Sequence, residues 1–459
     1  MYRTGACATF PFFAPEGEGM RITTILFLLA LFPGIGLTAE YHVAPSGSDW
    51  RGDGSAQHPW REVQKAVDRA GAGDTIIVHG GDYRPLVIER GGTEGRPLVL
   101  RSEPAHAARI LGTTGHDGRN AAIHIVADHV VVEGFDLEGE RRRGIVERGI
   151  RVSGFPGDLR RGVVLRNNRV RHFASQGITT SLSPGVVIEG NEVCCTLESH
   201  GIYVANSGDR PVIRGNRIHD CHKAGIQINA DRYIEGGDGV ISGALIERNL
   251  LYRNVLGRDS AAINLDGVVD SLIRDNLLVD NRFQGIANFI EDGARPSRGN
   301  VYLNNTLIMP AGSHHGLKFR DGSSHGVVRN NVLIDLGAEG DGLAVDGESL
   351  PGLASDHNLI TRVEDSSDRR LSLSEWQARR RQDLHSLDAR RWSLRALFVN
   401  PDLEHPERGD FSPRPGGPLV DAGVMHPGLG RVDLAGRPRV QGRAVDIGAY
   451  EAGASSSSP

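Results

Sequence analysis

The chain is poor in aromatic residues, in lysine and in long apolar runs. Aromatics make up 5% of its 459 residues while charged residues reach an ordinary 24%, a balance that fits neither a helix-rich bundle nor a chain kept disordered by charge. Only Lys65, Lys223 and Lys318 stand among the 52 basic residues, the rest being arginine. With a net charge of −5 there is no basic stripe for a nucleic acid to follow. No run reaches the roughly 18 apolar residues of a membrane span, so the mature chain is expected to be soluble, with no membrane span. Glycine is what abounds: 60 residues without the three-residue period of collagen, which implies many turns.

The amino end reads as an export signal. Arg21 precedes an apolar run from Ile22 to Phe32, and Leu37-Thr38-Ala39 offers a small-residue cleavage site before Glu40. Met20 is the expected start, the residues before it an upstream extension, and the product a secreted protein, extracellular or periplasmic. Cleavage leaves Cys194, Cys195 and Cys221, an odd number for an oxidising compartment, so at most one intramolecular disulfide is expected.

A phrase recurs through the middle of the chain: two apolar residues, two variable ones, an asparagine, one variable residue, then an apolar one. It places Asn168, Asn191, Asn216, Asn249, Asn276, Asn305 and Asn331 at intervals of 23, 25, 33, 27, 29 and 26 residues. A second phrase alternates with it, Gly-Ile-x-Val or a variant, beginning at Gly149, Gly177, Gly201, Gly225, Ala262, Gly285, Gly316 and Gly342. Repeats of this length mean a solenoid or an array. Each phrase is too short for a helical repeat and alternates with period two, so the units are short strands. Coils of about 25 residues stacked at the strand spacing of about 4.8 Å bury their inward side chains in one core. The fold class is therefore all-β, a parallel β-helix. The repeated asparagine is expected at an inward-facing bend, bonded to backbone and to its neighbours above and below, in a corner whose left-handed conformation it tolerates. The longer intervals place insertions at about 231–243 and 291–300.

The open ends of such a stack need covers. At one end Trp60, Val63, Ala66, Val67 and Ala70 fall at helical spacing between Pro59 and Ala70. At the other, Ser372-x-x-Glu375 is a capping box ahead of Trp376, and a Gly- and Pro-rich stretch from Leu397 to Glu451 is expected to cover the stack. The expected organisation is a leader over 1–39, the β-helix with its capping helix over 40–362, and a helix with covering segment over 363–459.

Tyr41 to Asp49, the Pro59-Trp60 helix followed by Gly73-Asp74-Thr75-Ile76-Ile77-Val78, the coils, and Val445-Asp446-Ile447-Gly448-Ala449-Tyr450-Glu451 together resemble the bacterial secreted right-handed parallel β-helix proteins of the pectate-lyase-like superfamily. The resemblance spans nearly all of the mature chain. It implies the right-handed coil, and it leaves activity open among lyases of pectate, alginate and glycosaminoglycans, uronate epimerases, glycoside hydrolases and noncatalytic surface proteins.

Outward positions on one wall of a stack form ladders. The third position of the second phrase runs Arg151, Thr179, Tyr203, Gln227, Asn264, Ala287, Lys318, Ala344, and the fifth runs Ser153, Ser181, Ala205, Asn229, Asp266, Phe289, Arg320, Asp346. From Tyr203 to Arg320 these side chains suit an extended, acidic polysaccharide. β-Elimination on a uronate needs a base for the proton beside the carboxylate and a cation to neutralise that carboxylate. Ca2+ suits the second task, with Asn229, Asp231, Asp266 and Glu291 as expected oxygen donors. Lys318 is the leading base, with Arg320 beside it to lower its pKa or bind the substrate carboxylate. Lys223 is its rival, and His200 with Tyr203 form a candidate acid and base pair. Gln227, Asn264 and Asp292 are expected to bind substrate.

Specific motifs fit less well. Arg295-Pro296-Ser297-Arg298 misses the pectate-lyase arginine spacing. Leu317-Lys318-Phe319-Arg320-Asp321-Gly322 looks loosely like the arginine-bearing coil of alginate and chondroitin lyases, with Asp321 where a histidine usually follows. Asn264-Leu265-Asp266-Gly267 is a partial echo of polygalacturonases. Cysteine spacing gives no zinc motif. Cys195 and Cys221 fall on adjacent coils within plausible disulfide reach, and His314-His315 reads as a turn. The expectation is a monomeric, exported lyase on a uronate polysaccharide, with a noncatalytic carbohydrate-binding surface protein or a polygalacturonase-type hydrolase as alternatives.

Overall fold

A computed structural model describes residues 38–453 apart from 113–119, 141–146, 207, 258 and 367–368. The leader and its cleavage site up to residue 37 lie outside the described residues. Within them the chain winds as a parallel β-solenoid whose walls are a 22-stranded and a 12-stranded sheet. The 22-stranded sheet takes two strands from each central coil, such as Val164–Arg166 and Arg169–Arg171, and the 12-stranded sheet takes one, such as Ile178–Ser181. Through the coils each strand pairs in parallel with its counterpart about 25 residues on. Alternate residues point inward, and Ile178, Ile202, Ile226, Ile263, Ile286, Leu317 and Leu343 form one apolar column of the core.

The recurrent asparagines form a continuous buried ladder between the two strands of the wider sheet. Asn168 Nδ2 donates to Asn191 Oδ1 at 3.1 Å, and the pattern repeats through Asn216, Asn249, Asn276, Asn305 and Asn331 to Asn358. Each amide also donates to a carbonyl of the coil before it, as Asn191 does to Leu165 O at 2.9 Å. One expectation needs correcting: the left-handed residue is the one before the ladder asparagine, Asn167, Gly190, Gly215, Arg248, Asp275, Asn304, Asn330 or His357. That residue makes the bend, which turns the following amide inward.

Both ends are covered. Helix α1 (Val63–Val67) is shorter than its apolar spacing suggests, and it buries Val63, Ala66 and Val67 over the first coil. At the far end the strand Arg369–Leu371 pairs antiparallel with Val363–Asp365, which ends the parallel stacking of the 12-stranded sheet. Helix α2 (Leu373–Arg380) starts at the expected capping box, Ser372 with Glu375, and buries Trp376, whose indole donates to Asp383 Oδ2 at 2.9 Å. The segment from Leu397 runs back along the outer face of the wider sheet. There Phe398, Phe411, Leu419 and Ile447 pack on Leu277, Ile308, Val332 and Leu359.

Cys195 and Cys221, on adjacent coils, are not bridged: Cys194, Cys195 and Cys221 are free thiols. The register explains it. Cys194 pairs with His219, which sets Cys195 beside Asp220 and Thr196 beside Cys221. Cys195 occupies a left-handed corner, while Cys221 is buried in the core and its N–H donates to Asn254 Oδ1.

Candidate functional site

The outer face of the 12-stranded sheet carries the two ladders in the register that the sequence phrases require. Arg151, Thr179, Tyr203, Gln227, Asn264, Ala287, Lys318 and Ala344 are successive Cα partners, and so are Ser153, Ser181, Ala205, Asn229, Asp266 and Phe289, where the second ladder stops, since Arg320 and Asp346 lie one residue past the strands His315–Phe319 and Asp341–Val345. The insertions at 231–243 and 291–300 rise at one edge of this face and hold each other. Arg232 N–H donates to Asp292 O at 3.0 Å, and its guanidinium donates to Gly293 O at 3.0 Å and Glu291 O at 3.2 Å.

Beneath these loops lies a chain of amides. Asn264 Nδ2 donates to Gln227 Oε1 at 2.8 Å, Gln227 Nε2 to Asn229 Oδ1 at 3.0 Å, and Asn229 Nδ2 to Asp292 Oδ2 at 3.1 Å. Burial pushes the Tyr203 phenol up to about 12, with Asp292, Asp231, Asp266 and Glu291 adding to the shift, so negative charge is gathered around that ring. Asp266 is not the outward oxygen donor that the ladder suggests. It is fully buried, and Oδ1 and Oδ2 accept the N–H groups of Glu291 at 2.9 Å and Asp292 at 2.8 Å, with Gly293 at 3.3 Å. The loop folds back over the carboxylate, which anchors it. Burial raises its pKa. Asp231 Oδ1 accepts from Tyr233 N–H at 2.8 Å, and Glu291 is exposed on the rim. The carboxylates of Asp231, Asp266 and Glu291 therefore do not converge on one point.

His200 and Tyr203 are brought together, with ring centroids 5.3 Å apart and nearly parallel. Their surroundings pull both away from the charged form. Burial first, then the Lys223 charge, holds His200 down to about 3, and its Nδ1 accepts from Ala224 N–H at 3.2 Å, so the ring is a neutral wall residue under a phenol that stays protonated. Lys223 is exposed at the turn before the next coil's strand, Ile226–Asn229.

Lys318 stands two coils beyond Asn264, about 10 Å along the same column. Its Nζ is 3.1 Å from His315 Nε2. Burial, then Lys318, holds His315 down to about 3, so the ring is neutral and Nε2 accepts from the amine. Arg320 is not its partner: that guanidinium lies over the Phe289 ring at 5.0 Å and 3.3 Å from Asp321. Only His314 belongs to the expected turn, while His315 lies in the strand His315–Phe319. His315 belongs to a third column, Gln284, His315 and Asp341, set one residue before the glycine of each phrase and buried at His315 and Asp341. Reading each phrase from its glycine passed that column over. The glycine itself is needed, because a Cβ on Gly316 would come within 2.6 Å of Gly342 O in the next coil.

Comparison with known proteins agrees with this architecture. Residues 102–249 match the family described as right handed beta helix region. A stretch of 86 residues is 41% identical to pectate lyase PEL9 of Emericella nidulans, covering 18% of this chain and 20% of that protein. The uncharacterized protein YwoF of Bacillus subtilis is 24% identical over 336 residues, 64% of this chain and 68% of its own. Among solved structures, pectate lyase Pel9A superposes with a TM-score of 0.63 at 16% identity, over 92% of this chain and 98% of that one. A glycoside hydrolase superposes at 0.51 with 12% identity, over 72% and 95%.

Proposed function

We propose that this chain is an exported protein that binds an extended uronate-containing polysaccharide along the outer face of its 12-stranded sheet and cleaves it by β-elimination. One observation carries the reading: Lys318 stands in the outward column of Tyr203, Gln227 and Asn264, with its amine held against a neutral imidazole. The similarity of part of the chain to a pectate lyase supports the same chemistry.

In this reading Lys318 removes the proton beside the uronate carboxylate. The electron pair left behind forms the double bond as the glycosidic C–O bond at the β carbon breaks, and the departing oxygen takes a proton from water. Arg320, exposed on the adjoining column, pairs with a substrate carboxylate. An acidic polymer meets repulsion at Asp231, Glu291 and Asp292. Those carboxylates do not gather into one preformed cage, so Ca2+ would be held between them and the substrate carboxylate whose charge it neutralises, with the substrate completing its oxygen shell.

The test is to incubate the purified protein with pectate, alginate and glycosaminoglycans, with Ca2+ or a chelator, following absorbance of the unsaturated product and reducing ends together. The expected result is absorbance that needs Ca2+ and vanishes in Lys318→Ala while polymer binding persists. Reducing ends without absorbance would make the protein a hydrolase. Silence in both channels with retained binding would make it a binding protein.

A further inference from the structure

At the far end of the same face lies a second cluster, built on the other ring nitrogen of the histidine that holds Lys318. His315, Asp341 and Glu364 come from three consecutive coils, and one ligand atom from each lies within 4.8 Å of the others. His315 Nδ1 is 4.0 Å from Asp341 Oδ2 and 3.9 Å from Glu364 Oε2. His315 is 5% exposed and Asp341 not at all, yet neither His315 Nδ1 nor Asp341 Oδ1 has a hydrogen-bond partner. Buried polar atoms are almost always paired, so the unpartnered His315 Nδ1 facing two carboxylates marks a missing third party. The nearby arginines are largely engaged elsewhere. Arg362 donates to the carbonyls of Gly337, Ala338 and Gly340 and stands with Nε 3.8 Å from Asp341 Oδ1, and Arg370 pairs with Glu339 as well as with Asp341 Oδ2 at 3.3 Å. Ala344, buried between Lys318 and Glu364 in the ladder, contributes only a methyl group and no ligand atom.

We infer that His315, Asp341 and Glu364 form a binding site for a zinc-class divalent cation. One imidazole and two carboxylates match the donors that zinc takes, and a tetrahedral ion with bonds of about 2.1 Å separates its ligands by about 3.4 Å, a contraction that side-chain rotation supplies. Calcium, which wants six or more oxygens, is excluded by the donor set. An ion on Nδ1 leaves the ring proton on Nε2, so that nitrogen stops accepting from Lys318 and the amine is released toward the groove. The site does not depend on the lyase reading. A different trio, Asp356, His357 and His385, also gathers ligand atoms, but there His385 Nδ1 and Asp356 Oδ2 already bond to each other at 2.7 Å and the His385 side chain is 67% exposed.

The experiment strips the full chain with chelator, titrates it with ZnCl2 by calorimetry, and counts retained metal. The expected result is a zinc equivalent whose binding weakens about tenfold or more in both Asp341→Asn and Glu364→Gln and persists in His385→Ala. Circular dichroism confirms the fold of each near-isosteric variant, so either one alone suffices. Absence of retained zinc, or zinc that survives both carboxamide variants, overturns the assignment.

Discussion

Asn249 bonds to the coils on both sides of it. Its Oδ1 accepts from the backbone and side chain of Asn216, and its Nδ2 donates to Ile213 O and Asn276 Oδ1. Asn249→Ala strands buried donors and an acceptor at once, and the expected loss is about 2–4 kcal/mol in chemical denaturation. A loss under about 1 kcal/mol would show that the corner finds other partners. This residue was legible in the sequence because its signal is its spacing. Asp266 was not: its ladder position says outward, and only the return of residues 291–293 over it, a contact 25 residues away, makes it a buried anchor. His315 was hidden differently, since its meaning comes from Asp341 and Glu364 on later coils and a lone histidine beside another reads as a turn.

Among the elements, the covering segment has a titratable clasp. Arg439 reaches Asp275 of the stack at 3.5 Å and Glu451 at 3.6 Å, all three buried. Burial, against the opposing pull of Arg439, raises the Glu451 carboxyl to about 7. Below about pH 4.5 the group is protonated in both folded and unfolded chains and its burial costs little. As pH rises the unfolded chain ionises first, so stability falls until the folded group ionises near pH 7. Glu451→Gln removes that loss. Thermal melts should show the variant gaining on the native protein between pH 4.5 and 7, by on the order of 1–3 kcal/mol at the upper end, and a constant difference across that range would refute the mechanism. The sequence foretold that this segment covers the stack, through its glycines and prolines. It could not show which wall, because that depends on Phe398 and Ile447 meeting Leu277 and Ile308.

At the scale of the molecule, coils touch only their neighbours, so the ends decide whether the stack stays solitary. Trp376 seals one of them. Trp376→Ala should cost about 3–5 kcal/mol and leave the last coil accessible, and light scattering should then report association that the native chain does not show. A variant that melts early but stays monodisperse would place the protection in the antiparallel strand Arg369–Leu371 instead.

The asparagine ladder also acts as a ruler. In every coil from Val164–Arg166 to Leu359–Ile360 two residues, never more or fewer, separate the flanking strands of the wider sheet. One added residue there would rotate an amide out of line and break the column above and below it. Coil lengths from 23 to 33 residues must therefore be absorbed at the other corners, where the loops beside Tyr203 leave the stack. New recognition loops can be grafted at those corners without disturbing the core, and the ladder corner will refuse them.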